Sequence, residues 1–203
     1  MYVKICGLRD AATAAHAARL GANAVGVVMA PGSPRDATVD QARAVIAAAR
    51  AARPDIDTVL VVRSMPAATA AGLAAKLGFD VVQLHGAYTA EDFAEAAAIH
   101  PRIWRATSLA KHPSLVAGEF GEERLLVDGA AAGSGEPWDL GLIEQASLGR
   151  EWILAGGLSP DTVAAAITAA RPAGVDVSSG VESVPGVKSL ELITRFIAAA
   201  RGA

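Results

Sequence analysis

The chain has one cysteine in 203 residues, Cys6. A single thiol forms no internal disulfide and builds no thiolate zinc cluster, and no His or Cys spacing resembles a metal site. Charge of one sign is also missing. Eighteen basic and 21 acidic residues leave a net charge of −3, too little to draw a nucleic-acid backbone or an anionic membrane surface. Alanine-rich stretches are broken by polar residues well short of the roughly 18 apolar residues that a membrane span needs. No basic segment followed by an apolar one precedes Lys4, so the expectation is a cytoplasmic protein without nucleic-acid or membrane partners. The first apolar run is not followed by Gly-x-Gly-x-x-Gly, which argues against an open dinucleotide-binding sheet.

What is present is alternation. Short β-branched runs fall at residues 2–6, 24–29, 58–62, 81–84, 103–106, 125–127, 152–155 and 175–177. Each is followed by a longer alanine-rich segment of helical period, the pattern of βα units around a parallel sheet. Asp10, Thr38, Pro66, Thr89 and Ser159-Pro160 stand where helices should begin. Eight units in this length allow about 25 residues each, near the minimum for a strand, a helix and two tight loops. Eight parallel units close into a barrel. The expected fold is therefore α/β, a single compact (β/α)8 TIM barrel of the phosphate-binding type spanning residues 1–203.

In such a barrel, chemistry gathers at the carboxyl ends of the strands. Cys6 ends the first, Ser33-Pro34-Arg35 follows the second, and His85-Gly86 ends the fourth. Asp128-Gly129 ends the sixth, Gly156-Gly157 the seventh, and Ser178-Ser179-Gly180 the eighth. Glycine-bearing loops after strands seven and eight form a phosphate cradle, with Gly156, Gly157, Ser178, Ser179 and Gly180 as its residues. Taken alone, Gly156-Gly157 reads equally well as a tight turn with positive φ. The stretch 130–135, with Gly133-Ser134-Gly135, suits a flexible loop or lid. Asp128 is a turn residue or a catalytic carboxyl, and Arg35 is a guanidinium placed for a bidentate carboxylate contact. His85 contacts substrate or supports a neighbour. His16, His100 and His112 default to the surface. Strand alternation puts Lys4 on the face of Cys6, where it either lowers the thiol's pKa or pairs with Asp176 inside the barrel.

Read in order, Lys4-Ile5-Cys6-Gly7-Leu8, Ser33-Pro34-Arg35, Gln83-Leu84-His85-Gly86, Val127-Asp128, Leu154-Ala155-Gly156-Gly157-Leu158 and Gly174 to Glu182 resemble the phosphoribosylanthranilate isomerases of tryptophan biosynthesis. The resemblance spans nearly the whole chain. It implies an Amadori rearrangement with Cys6 as general base and Asp128 as general acid, and a substrate site that includes Arg35, His85 and Asp176. It implies a phosphorylated small-molecule substrate, no cofactor, and a monomer or homodimer. The chain departs from the family at Arg63, where asparagine is common, at Met29, where no phenylalanine precedes it, and at Trp138-Asp139, where the aromatics are shifted. One rival is a broader isomerase serving histidine and tryptophan biosynthesis. Those enzymes use two aspartates, and Cys6 in place of the first argues against it. The other rival is a barrel that binds phosphosugars without catalysis.

Overall fold

β-branched residues dominate the strands because their stiff side chains suit a pleated, buried ladder. In the computed structural model, which describes residues 1–109, 115–128, 148–149 and 151–203, eight strands run parallel. They are β1 (Tyr2–Ile5), β2 (Ala24–Val28), β3 (Asp57–Val62), β4 (Val81–His85), β5 (Ile103–Ser108), β6 (Arg124–Asp128), β7 (Trp152–Ala155) and β8 (Gly174–Val177). Each pairs with the next, and β8 returns to β1, closing the barrel. The closing seam sets Lys4 opposite Asp176 and Ile5 opposite Val177. The expected barrel is thus present, with strand ends shifted by one or two residues.

Helices α1 (Ala11–Arg19), α2 (Val39–Ala52), α3 (Ala67–Leu77), α4 (Ala90–Ala97), α5 (Val163–Ala170) and α6 (Leu190–Arg201) pack outside. Asp10 caps α1 through the Thr13 N–H, while Thr38 with Gln41 and Thr89 with Asp92 form capping boxes on α2 and α4. α5 begins later than Ser159-Pro160 suggests. Ser159 and Thr162 first make a side-chain turn, in which the Ser159 N–H donates to Thr162 Oγ1 at 3.0 Å, and the helix starts at Val163. One short element beyond the eight units was not expected. After a 3₁₀ turn at Ser179–Val181, strands β9 (Glu182–Val184) and β10 (Val187–Lys188) form an antiparallel hairpin.

The apolar residues divide into two layers. Outward-facing strand residues such as Ile5, Val27, Leu60, Val82 and Leu154 pack against helix residues such as Ala17, Ala71 and Phe196. The alanines of these helices let backbone approach backbone. Inside the barrel a smaller cluster of Val59, Val81, Trp104, Leu126 and Ile153 rises to Cys6. The amino-terminal end is closed by polar groups: the Tyr2 hydroxyl donates to Asp57 at 2.6 Å, and Arg102 pairs with both Asp57 and Glu123. The opposite end stays open. Phe196 is fully buried between α6 and the barrel, so Phe196→Ala should lower unfolding free energy by about 3–5 kcal/mol in urea titration.

Candidate active site

Cys6 follows the last residue of β1 and is gripped by β8. Its N–H donates to the Val177 carbonyl at 2.8 Å, and Ser178 Oγ donates to its carbonyl at 3.2 Å. The neighbouring strand must carry glycine: a Cβ at Gly26 would lie 2.8 Å from Cys6 Sγ and 3.3 Å from Lys4 Cε. The thiol is 5 % exposed. Burial pushes it above its ordinary range; Lys4 opposes that, Asp176 adds to it, and Lys188 opposes it.

Lys4 settles between the two roles open to it by filling both. Its Nζ lies 2.9 Å from Asp176 Oδ1 in a fully buried contact, and its charge also bears on the thiol. Burial alone would pull the ammonium down, but Asp176 and Cys6 facing it hold it above its ordinary value. It therefore stays charged beneath the site. Asp128, the last residue of β6, meets His85, the last residue of β4, at 3.1 Å between Oδ2 and Nε2. That contact fixes the direction of the carboxyl and places the imidazole beside it.

The two glycine loops converge as their sequences suggest. Gly156 and Gly157 have φ of 78° and 68°, the tight turn with positive φ that their sequence allows. A Cβ on Gly180 would fall 1.8 Å from the Leu158 carbonyl oxygen. Glycine at that position lets the loop after β8 lie directly on the loop after β7.

Cys6, Arg35, His85, Asp128, Gly156, Gly157, Asp176, Ser178 and Ser179 all line one cavity of about 210 Å³ at the carboxyl ends of the strands. Gly180 stands behind it as packing. Arg35 differs from expectation in one respect. Its Nε and Nη2 already form a bidentate pair with the Glu182 carboxylate, at 2.7 and 2.8 Å. A bound carboxylate would have to use the Nη1 edge. His100 is also not at the surface: it is buried, with Nε2 3.1 Å from the Phe79 carbonyl oxygen. His16 is partly covered, 2.9 Å from Thr194 Oγ1. His112, Gly129, the stretch 130–135 and Trp138-Asp139 lie outside the described residues.

Three residues near the site have no role assigned to them by the sequence reading. Gln83 shares the inward face of β4 with His85, is 2 % exposed and lines the cavity. Its Oε1 finds no hydrogen-bond partner among the described residues, which suits an acceptor held for a ligand donor. Strand alternation from His85 was the available signal. Glu182 and Lys188 belong to the hairpin, and nothing local announces a contact between positions 35 and 182. The Lys188 ammonium, almost fully buried, donates to Glu182 Oε1 at 2.7 Å and to the Ser178 carbonyl at 2.9 Å. Two cations sharing one carboxylate leave net positive charge beside the cavity, which suits an anionic ligand. Among the described residues no group of three or more His, Cys, Asp or Glu is placed to hold a metal ion. No described helix is long and apolar enough to cross a membrane.

Burial pushes the Glu182 carboxyl up, but the bonds from Arg35, Lys188 and the Gly186 N–H outweigh it and hold it at about 2, against an ordinary 4.5. A depressed carboxyl stabilises the fold above the unfolded value and loses that contribution as pH falls through the folded one. Wild-type protein should therefore exceed Glu182→Gln in chemical stability above pH 4.5. Paired denaturation curves should show the difference shrinking towards zero as pH approaches about 2.

Comparison with known proteins places this geometry in a family. Residues 3–199 match the family model described as N-(5'phosphoribosyl)anthranilate (PRA) isomerase. An N-(5'-phosphoribosyl)anthranilate isomerase of Magnetococcus marinus is 40% identical, over 99% of this chain and 95% of that protein. The crystal structure of TrpF from Jonesia denitrificans superposes with a TM-score of 0.89 at 48% identity, covering 100% of this chain and 97% of the other. A phosphoribosyl anthranilate isomerase solved in complex with reduced 1-(o-carboxyphenylamino)-1-deoxyribulose 5-phosphate superposes at 0.82 with 28% identity, each chain covered in full.

Proposed function

The chain belongs to the N-(5'-phosphoribosyl)anthranilate isomerase family, and we propose that it converts N-(5'-phosphoribosyl)anthranilate to 1-(o-carboxyphenylamino)-1-deoxyribulose 5-phosphate in tryptophan biosynthesis. The observation that carries this reading is the meeting of Cys6, Asp128 and both glycine loops around one cavity. The substrate joins an anthranilate carboxylate and a phosphate through a ribose, and the cavity offers a cationic edge at Arg35 and a glycine cradle after β7 and β8. The phosphate lies against Gly156, Gly157, Ser178 and Ser179, with Gly180 holding the two loops together. Arg35 takes the carboxylate through the edge that Glu182 leaves open.

Asp128, protonated, donates to the ribose ring oxygen. The C1'–O bond breaks as the anthranilate nitrogen pushes its lone pair into an iminium. The Cys6 thiolate then removes the C2' proton, and the electrons of that C–H bond neutralise the iminium as an enolamine. Moving the enol proton to C1' gives the ketone. Asp128 has given its proton to the former ring oxygen, now a hydroxyl, and Cys6 has taken the C2' proton, so exchange with solvent resets both. The substrate's own nitrogen supplies the electron sink, so no cofactor enters. His85 orients Asp128, and Asp176, held by Lys4, forms the floor under the ribose.

This chemistry asks opposite things of its two groups. The acid must keep its proton and the base must lose it, so activity falls where pH strips the first or protonates the second. A thiol pushed up by burial makes a strong base once deprotonated, and Lys4 and Lys188 limit how far it rises. Residues 1–203 act as one catalytic domain, a cytoplasmic monomer or homodimer working on a small phosphorylated substrate without nucleic-acid or membrane partners.

Expression in a tryptophan auxotroph lacking the isomerase should restore growth, and soluble protein that fails to do so would refute the reading. Cys6→Ser and Asp128→Asn should each lower kcat by about 10²–10⁴-fold with little change in KM, since each removes a proton-transfer partner rather than a binding group. Arg35→Ala should raise KM and lower kcat/KM in steady-state assays, because binding and orientation are lost together.

A further inference from the structure

Glu182 does not itself line the cavity, yet its carboxylate is bonded at both oxygens. Oε1 accepts from Arg35 Nε at 2.7 Å and Lys188 Nζ at 2.7 Å, and Oε2 accepts from Arg35 Nη2 at 2.8 Å and the Gly186 N–H at 3.1 Å. The Glu182 side chain is 4 % exposed. A carboxylate so engaged has little left with which to meet a substrate. What it does is hold a guanidinium in one plane.

Arg35 needs holding. It lies on the loop after β2, and a free arginine side chain samples many rotamers, with roughly 2 kcal/mol of entropy at stake. The hairpin of β9 and β10 is fitted to that loop. A Cβ at Gly186 would lie 2.2 Å from the Pro34 carbonyl oxygen, so the hairpin turn presses directly on the residue before Arg35. Arg9 Nη2 donates to the Gly186 carbonyl at 2.8 Å and fastens the turn to the segment after β1. Gly7 completes the seat: a Cβ there would come within 2.8 Å of Arg35 Cδ. The arginine stem thus passes over one glycine while its head is clamped by the hairpin. Lys188 ties the clamp to Ser178 through both its carbonyl and its hydroxyl oxygen, and Ser178 in turn bonds Cys6.

We propose that Glu182 is a positioning residue for the isomerase reaction, fixing the Arg35 guanidinium so that its Nη1 edge faces the cavity for the anthranilate carboxylate. The inference rests on the function proposed above. The hairpin is then the part that carries this orientation, and Lys188 links the carboxylate-binding end of the site to the loop that borders the phosphate and the base. Glu182 acts only through Arg35, so its removal loosens the hold on the substrate's aromatic end without altering the acid or the base.

Steady-state kinetics with N-(5'-phosphoribosyl)anthranilate test this in wild type, Glu182→Gln, Arg35→Ala and the double variant. Glu182→Gln should raise KM about tenfold, the scale of a charge-assisted hydrogen bond, with kcat changed far less. In the Arg35→Ala background the same substitution should add almost nothing, which a general loosening of the fold would not produce. Glu182→Gln strands a buried ammonium, so Glu182→Gln/Lys188→Met serves as the second variant. It removes both charges and should show the same rise in KM. A KM within twofold of wild type in either variant, or an equal effect with and without Arg35, would overturn the proposal. Absence of wild-type turnover would defeat the isomerase reading and this inference with it, whereas an active wild type with an indifferent Glu182→Gln defeats the inference alone.

Discussion

The buried pair between Lys4 and Asp176 is the contact on which the site depends. It lies on the seam where β8 meets β1, with the two residues directly opposite each other in the ladder. Their 2.9 Å contact joins the two ends of the sheet from inside. Removing one partner of such a pair costs about 3–5 kcal/mol, because the other charge is left buried and alone. The same seam brings Val177 and Ser178 to the backbone of Cys6. A register slip of one residue would turn Lys4, Cys6 and Asp176 outward together. Closure of the barrel and placement of Cys6 are therefore one event.

Around that seam, each carboxylate near the cavity has a different partner. Asp176 is held by Lys4, Asp128 by His85, and Glu182 by Arg35 with Lys188. The partner suits the task. Burial pushes the Asp176 carboxyl up and Lys4 opposes that, while Glu182, saturated by donors, serves as a clamp. Asp128 alone of the three faces an imidazole instead of a lysine or arginine. The thiol completes the set, poised between burial that favours its protonated form and two lysines that favour the thiolate.

Most of this arrangement was legible because it obeys local rules. Alternation of β-branched runs with alanine-rich segments marked the eight strands, and Asp10, Thr38 and Thr89 cap helices where their side chains predicted. The cavity-lining residues at strand ends were readable for the same reason, since the barrel fixes where strand ends meet. Contacts set by tertiary geometry were hidden. The β9–β10 hairpin has strands of three and two residues, with Val184 and Val187 exposed, too short to show a period. The Arg35–Glu182 pair spans 147 positions, so the arginine looked free for a ligand when one edge of it was already taken. His100 has no local pattern that foretells burial; its place is set by the Phe79 carbonyl on a neighbouring segment.

The claim that everything else serves is that the lone thiol is the base. Because Cys6 is the only cysteine, its alkylation by iodoacetamide reports a single site, and the pH dependence of that rate gives the titration of the thiol in the free enzyme. Set beside the pH dependence of kcat/KM for N-(5'-phosphoribosyl)anthranilate, it is the most direct test. Because the proposed reaction also needs a protonated acid, kcat/KM should be bell-shaped, and one of its limbs should share the midpoint of the alkylation curve, above the ordinary thiol range. A profile in which neither limb coincides with the titration of Cys6 would contradict the assignment.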